Sequence, residues 1–181
     1  PEKEYESLTN ESVNRHSYAK FSSYKDRPFM VGALPRLYFN HGKLKGTAAE
    51  LYNEHGGLLD FRNTISNNLA QAIELVHDVE HSVKVIDSLI DSGLENEGLV
   101  DFEVFESRGI NAVEAPRGLL YHDYTFDGEG RITKSNIITP TAQNAYNIEK
   151  DTRVIAGNLA DKPVDEVKHA LEIMVRAYDP C

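Results

Sequence analysis

Two short segments hold the residue types that could carry chemistry. The first is Glu114-Ala115-Pro116-Arg117-Gly118-Leu119-Leu120-Tyr121-His122. An arginine set between proline and glycine, at a corner between strands, is held rigidly, with its guanidinium either paired to a carboxylate or aimed at one point. The second is Arg176-Ala177-Tyr178-Asp179-Pro180-Cys181. Because the residue before a proline is pushed out of helical conformation, a helix running into this segment must stop before Pro180. Asp179 and Cys181 then sit together just beyond a helix end, where the thiolate is a good soft-metal ligand and its acidic neighbour can hold an arginine.

Other constellations carry less. His77 and His81 stand at i and i+4 on one helix face, but Asp78 occupies the place where a zinc protease needs glutamate, and no third ligand is apparent. They read as a solvated helix face. Asp127-Gly128-Glu129-Gly130 reads as a hairpin turn, because the later acidic ligands of a calcium loop are missing. The chain contains no Gly-rich phosphate loop, no Cys-x-x-Cys pair and no nucleophile-elbow serine.

The elements that must position these residues make an α+β, helix-rich fold. Residues 1–60 form short pieces packing on a core: Ser17 to Tyr24 and Pro28 to Val31 extended, Leu34 to Phe39 and Thr47 to Glu54 helical between glycine breaks. Residues 61–181 form a helical core with a β-hairpin. In Thr64 to Ser92 the apolar positions Ile65, Leu69, Ile73, Val76, Val83, Ile86 and Ile90 mark one long helix with a single buried face, capped by Asn63 or Thr64 and ended by Gly93. An acidic loop follows. Asn111 to Ala115 is a short strand entering the Pro-Arg-Gly corner, and Leu119 to Phe126 pairs with Arg131 to Thr139. A helix beginning at Thr141 runs to about Leu159. The last helix spans Val164 to Tyr178, with Val167, Leu171, Met174 and Val175 inward.

Composition narrows the function classes. With 29 acidic and 19 basic residues the net charge is −10, which repels a phosphate backbone, so nucleic acid is excluded as a partner. No stretch approaches the ~18 apolar residues of a membrane span, and the acidic start PEKEYESLTN has no signal-peptide core. A single cysteine forms no internal disulfide, which fits a reducing, cytoplasmic compartment.

Taken in order, these motifs resemble the large subunit of [NiFe]-hydrogenases. Glu-Ala-Pro-Arg-Gly with its Leu/Tyr/His run is similar to that family's corner motif, and Arg-Ala-Tyr-Asp-Pro-Cys to the start of its C-terminal Asp-Pro-Cys-x-x-Cys-x-x-His signature. Thr139-Pro140-Thr141 followed by Asn144 resembles its Pro-Ser/Thr turn. Tyr18-Ala19-Lys20 and Phe29-Met30-Val31-Gly32-Ala33-Leu34-Pro35-Arg36 resemble its Val-Gly-Pro-Leu-Ala-Arg region. The resemblance covers nearly the whole chain and implies reversible oxidation of H2 to protons and electrons at a nickel–iron centre, whose iron carries one CO and two cyanides. It implies Cys181 as a terminal nickel ligand, and Pro116, Arg117 and Asp179 as the canopy over the open side of the metals. The Arg117 backbone and the Thr141 hydroxyl, beside Pro140, would hydrogen-bond the cyanides. The carbonyl of Ile137, placed by counting back from Pro140, would bind a structural Mg²⁺. The Tyr-His-Asp-Tyr run looks most like the cytoplasmic bidirectional group, whose acceptors are the deazaflavin coenzyme F-420, NAD(P) or a heterodisulfide reductase.

Departures from the pattern are equally specific. The family's N-terminal Arg-x-Cys-Gly-x-Cys pair and proton-relaying glutamate are absent, as are the second C-terminal cysteine and its histidine, so one of four metal-binding cysteines is present. A single thiolate cannot hold a two-metal cluster. The stretch is therefore expected to be inactive and free of metal by itself, a piece of a longer subunit partnered by the missing N-terminal part and an iron–sulfur small subunit. Two other readings are a metal-free, complex I-like subunit shaping a quinone pocket, and a non-catalytic helical interaction module. The second predicts Arg117 far from Asp179.

Overall fold

A computed structural model describes residues 4–180. A short helix α1 (Tyr5–Leu8) leads into a small antiparallel hairpin, β1 (Asn10–Ser12) with β2 (Phe21–Ser23). Then come α2 (Ala33–Asn40), α3 (Gly46–His55) and the long α4 (Asn67–Ser92). A three-stranded antiparallel sheet follows, β3 (Ser107–Ala115), β4 (Gly118–Phe126) and β5 (Ile132–Ile138), with β4 in the middle. Helices α5 (Pro140–Asn158) and α6 (Val164–Ala177) complete the α+β order.

The elements fall close to where the sequence puts them, and the differences have local causes. The Thr64 helix start is a 3-10 turn, Thr64–Ser66, whose Ile65 N–H is capped by Asn63 Oδ1 at 3.0 Å. Pro28 to Val31 is not a strand: Val31 bonds instead to the side chain of Asn144. Helix α5 begins at Pro140, not Thr141, because a proline suits the first helical position and Thr139 Oγ1 accepts from Ala142 N–H at 3.3 Å. Asp127-Gly128-Glu129-Gly130 does close the β4–β5 hairpin, Asp127 Oδ1 accepting from the N–H groups of Glu129 and Arg131.

The core is small and lies where α2 crosses the first half of α4. Ala33, Leu34 and Leu37 pack on Ala70 and Ile73, with Met30, Leu51 and Phe61 partly buried around them. At 26 residues α4 runs about 39 Å and outreaches this body. Only its first half has the expected buried face. Val83, Ile86 and Ile90 are exposed, and so is every residue from 81 to 106. The last packed point is Glu80, which accepts from Thr47 N–H at 2.9 Å and so caps α3 from outside; those backbone bonds hold its carboxyl below the ordinary range.

Helix α1 docks on the sheet through a buried charge. Tyr5 stacks on Tyr121 with ring centroids 5.3 Å apart and donates its hydroxyl to Asp123 Oδ2 at 2.8 Å. Arg108 donates to both Asp123 oxygens, from Nε at 2.9 Å and from Nη2 at 2.6 Å. Burial pushes the Tyr5 phenol up to about 12, so it stays a donor at neutral pH. The Arg108 bonds hold the Asp123 carboxyl below its ordinary range although burial works against them. A folded pKa below the unfolded value of about 3.9 means that the unfolded chain takes up the proton first. The stabilisation is therefore whole above about pH 4 and is lost as pH falls through that region toward the folded pKa. Urea midpoints of Asp123→Asn and the parent protein should accordingly draw together as pH is taken below about 4; parallel acid limbs would show that Asp123 is not the source.

Candidate active site

Arg117 sits in a two-residue turn. Ala115 pairs with Gly118 at the end of the β3–β4 ladder, which leaves Pro116 and Arg117 as the loop. Proline presets the first turn position, and Arg117 is not among the residues with positive φ, so the turn is not one of the primed types usual in hairpins. Twist is absorbed instead at Gly118, whose φ of 129° suits glycine alone. A Cβ at Gly118 would also stand 2.5 Å from Val31 Cγ2, so the turn lies directly against the 28–32 segment.

Asp179 meets Arg117 from the end of α6. The helix stops before Pro180 as its sequence requires, yet Asp179 does not become extended. Its φ is 48°, the left-handed position common after a helix end, and its N–H returns to Arg176 O at 2.9 Å. That conformation presents two acceptors to one guanidinium. Arg117 Nη2 lies 3.0 Å from Asp179 Oδ2, and Arg117 Nε donates to the Asp179 backbone carbonyl. The pairing expected from sequence is thus present in altered form, a fork on one carboxylate oxygen and one main-chain oxygen.

Buried amides set the distance between these two pieces. Asn67, at the first residue of α4, accepts from Leu34 N–H at 2.8 Å and donates to Ala177 O at 2.6 Å, tying α2 and α4 to the end of α6. Asn144 accepts from Val31 N–H at 2.8 Å and donates to Val31 O at 3.2 Å, while Gln143 donates to Leu119 O at 2.6 Å. All three amides are at most 2% exposed. Next to Asp179, the Tyr178 hydroxyl bonds Asp151 at 2.7 Å and Asn147 at 2.6 Å, and burial raises its phenol well above the ordinary range. On the far side of the turn Arg36 donates to Ala115 O at 3.0 Å and Pro116 O at 2.7 Å. It also forks onto Glu74 at 2.8 and 2.6 Å and reaches Glu114 at 2.6 Å. Burial opposes the charge of Arg36, but its bonds to Glu74 and Glu114 outweigh that and keep it above the ordinary arginine range.

The remaining candidates are placed less closely. Pro116 is exposed beside Arg117. Pro140 is buried and Thr141 half-buried in the first turn of α5, the helix that also carries Gln143 and Asn144. Ile137 lies on the edge strand β5 opposite His122, whose Nδ1 is 2.8 Å from the Tyr124 hydroxyl. Cys181 lies outside the described residues. His77 and His81 stack with ring centroids 6.1 Å apart, and among the described residues no three or more His, Cys, Asp or Glu gather where they could hold a metal. Sequence reasoning assigned no role to Arg36, Asn67 or Gln143. Asn67 carried a usable signal: it stands three residues before Ala70 and six before Ile73, on the face of α4 that is buried.

The site is thus a hairpin-borne arginine held by Asp179, two residues past the end of the last helix. The family described as nickel-dependent hydrogenase matches residues 1–181, and the chain belongs to it. It is 38% identical over its whole length to the alpha subunit of sulfhydrogenase 1 from Pyrococcus furiosus, covering 42% of that protein. It is 30% identical to the beta subunit of the NAD-reducing hydrogenase HoxS from Cupriavidus necator, with 95% of this chain and 38% of that one covered. The fold matches a crystal structure of an NAD+-reducing [NiFe]-hydrogenase in the H2-reduced state with a TM-score of 0.80 at 26% identity, over 98% of this chain and 41% of the other. A [NiFeSe]-hydrogenase of Dm. baculatum, at 23% identity and a TM-score of 0.64, shares the fold, with 94% of this chain and 38% of the other covered. The chain spans about two-fifths of the length of the curated relatives it matches. Neither the metal-free quinone-site reading nor the interaction-module reading is favoured, since the chain falls within the nickel-dependent family and Arg117 contacts Asp179. No helix of the described residues is long and apolar enough to cross a membrane.

The family implies a nickel–iron centre in its full-length members, and the residue types here are ones such a centre could use. One thiol, in Cys181, follows two residues after the Arg117–Asp179 contact. A guanidinium held at both Nε and Nη2 is suited to stand over an anionic or polarisable group without moving.

Proposed function

We propose that this chain forms the canopy side and one thiolate ligand of a nickel–iron site in an enzyme that reversibly oxidises H2 to protons and electrons. The observation that carries the reading is the Arg117–Asp179 contact at 3.0 Å, made where the chain runs on to Cys181. When bound, the metal pair supplies the heterolytic splitting of H2. In this reading Cys181 ligates nickel, and Arg117 faces the open side with Asp179 fixing its aim and Pro116 closing the wall. The backbone of Arg117 and the hydroxyl of Thr141, preceded by Pro140, bond the cyanides. The carbonyl of Ile137 binds a structural Mg²⁺. The other three cysteines come from the rest of the subunit, and electrons leave through an iron–sulfur partner subunit in the cytoplasm.

The contribution of this chain's own residues follows from their chemistry. The planar guanidinium of Arg117 offers N–H donors in a fixed fork, so in this reading it orients and polarises what lies before it. The test is to purify the full-length subunit with its partners, measure nickel by mass spectrometry and record the infrared region of bound CO and cyanide. Stoichiometric nickel with CO and cyanide bands is expected, and the nickel should be lost in Cys181→Ala. Metal-free parent protein without those bands would overturn the reading.

A further inference from the structure

We infer that Arg36 is a positioning residue for Arg117, acting through the carbonyls of the turn that carries it; this rests on the function proposed above. A two-residue hairpin turn at the tip of two strands is normally free to rock. Here the outer face of the turn is clamped. Arg36, on α2, donates from Nη1 to Ala115 O at 3.0 Å and from Nη2 to Pro116 O at 2.7 Å. These are the carbonyls of the two residues before Arg117.

The clamp is itself anchored to the body of the protein. Nε and Nη2 of Arg36 fork onto Glu74 of α4 at 2.8 and 2.6 Å, and Nη1 takes Glu114 of β3 at 2.6 Å. The Arg36 side chain is 22% exposed and that of Glu74 is 19% exposed, so both are held in a partly desolvated cleft. Gly32, at the start of the same helix, also lies against the Arg117 carbonyl, and Asn144 holds the adjoining Val31. The turn is thus held twice, by α2 through Arg36 and by α5 through Val31. Arg117 projects from it toward Asp179. An ammonium in place of Arg36 would keep the charge but could not reach two carboxylates and two carbonyls at once. Glu114 is the adjustable arm of the clamp, since its side chain is 47% exposed and bonds from the solvent side.

The experiment uses the full-length subunit assembled with its partners, comparing Arg36→Lys, Arg36→Gln and Glu114→Gln with the parent. If Arg36 sets the aim of Arg117, Arg36→Gln lowers kcat about 10²-fold with the KM for H2 little changed. Arg36→Lys fails to rescue it, and the cyanide infrared bands shift because the Arg117 backbone moves. Glu114→Gln, which keeps the clamp on Glu74, gives a smaller shift in the same direction. Exchange of the Arg117 Nε–H, followed by NMR in arginine-labelled protein, quickens in Arg36→Gln whether or not metal is bound. Unmoved bands together with unchanged exchange would overturn the inference, as would full rescue by lysine, which assigns Arg36 a charge role only. A parent protein lacking metal bands would overturn the proposed function instead, and the exchange measurement would still decide the positioning claim. Should Arg36→Gln fail to assemble, Glu114→Gln gives the same readouts.

Discussion

Replacing Arg117 by lysine in the assembled enzyme is expected to cut H2 oxidation by about 10²- to 10³-fold while leaving the melting temperature nearly unchanged. The two halves of that expectation come from different magnitudes. As a structural contact the Arg117–Asp179 pair is weak, because the two side chains are 34% and 48% exposed and such pairs contribute about 0–1 kcal/mol. As a directional device it is strong. Nε is committed to the Asp179 carbonyl and Nη2 to its carboxylate, which leaves the rest of the planar group fixed in direction. Lysine keeps the charge and loses the plane. Asp179→Asn keeps both acceptor oxygens and removes the charge, so it should lose less than Arg117→Lys. The double variant should fall little below Arg117→Lys alone, because both changes disrupt one unit. Hydrogen uptake measured with an artificial electron acceptor, beside nickel content and a thermal melt, separates loss of aim from loss of metal. Parent-like uptake in Arg117→Lys would remove Arg117 from the catalytic group.

Arg117 and Asp179 could be read in the sequence because each is fenced by residues with fixed backbone preferences. Pro116 and Gly118 announce a turn, and Pro180 announces a helix end, so both side chains are located before any packing is known. Their supports are of another kind. Gln143 and Asn144 are polar residues in the first turns of a helix, where such types usually face water or cap an end, and their spacing says nothing of Leu119 or Val31. Arg36 stands between Leu34 and Leu37, two residues of the core, and reads as the solvent side of a short helix. Its partners are 38 and 78 positions away in Glu74 and Glu114. The reverse error occurs on α4. The apolar spacing of Val83, Ile86 and Ile90 correctly marks a face, but periodicity describes what a helix offers and not whether anything covers it. With Asp87, Asp91, Glu95 and Glu97 close by, that face leaves the body as an exposed, acidic and apolar arm.

The substitution that should cost the most stability is Asn67→Asp, a change of one atom. Asn67 is 2% exposed, with its oxygen on Leu34 N–H and its nitrogen on Ala177 O. Aspartate retains the first bond and turns the second into a contact between two oxygens. Leaving the Ala177 carbonyl unpaired costs about 1–3 kcal/mol, and burying an unpaired carboxylate raises that to about 3–5 kcal/mol. The protein can lower that cost by protonating the new side chain, since a protonated carboxyl can donate to Ala177 O as the amide did. Burial therefore raises the folded pKa of the introduced carboxyl above its unfolded value of about 3.9. The folded state then binds the proton first, so stability relative to the parent falls as pH rises through the unfolded value and levels off above the folded one. Denaturant midpoints from about pH 4 to pH 8 should show parent and variant nearly matched at the acid end and several kcal/mol apart at the neutral end. The functional effect should follow the same curve. Ala177 lies two residues before Asp179, so release of the α6 end moves the partner of Arg117, and activity should recover as the carboxyl is protonated. A constant, pH-independent deficit would mean that the site tolerates the ionised carboxylate, and that Asn67 holds α6 by shape and not by its donated hydrogen bond.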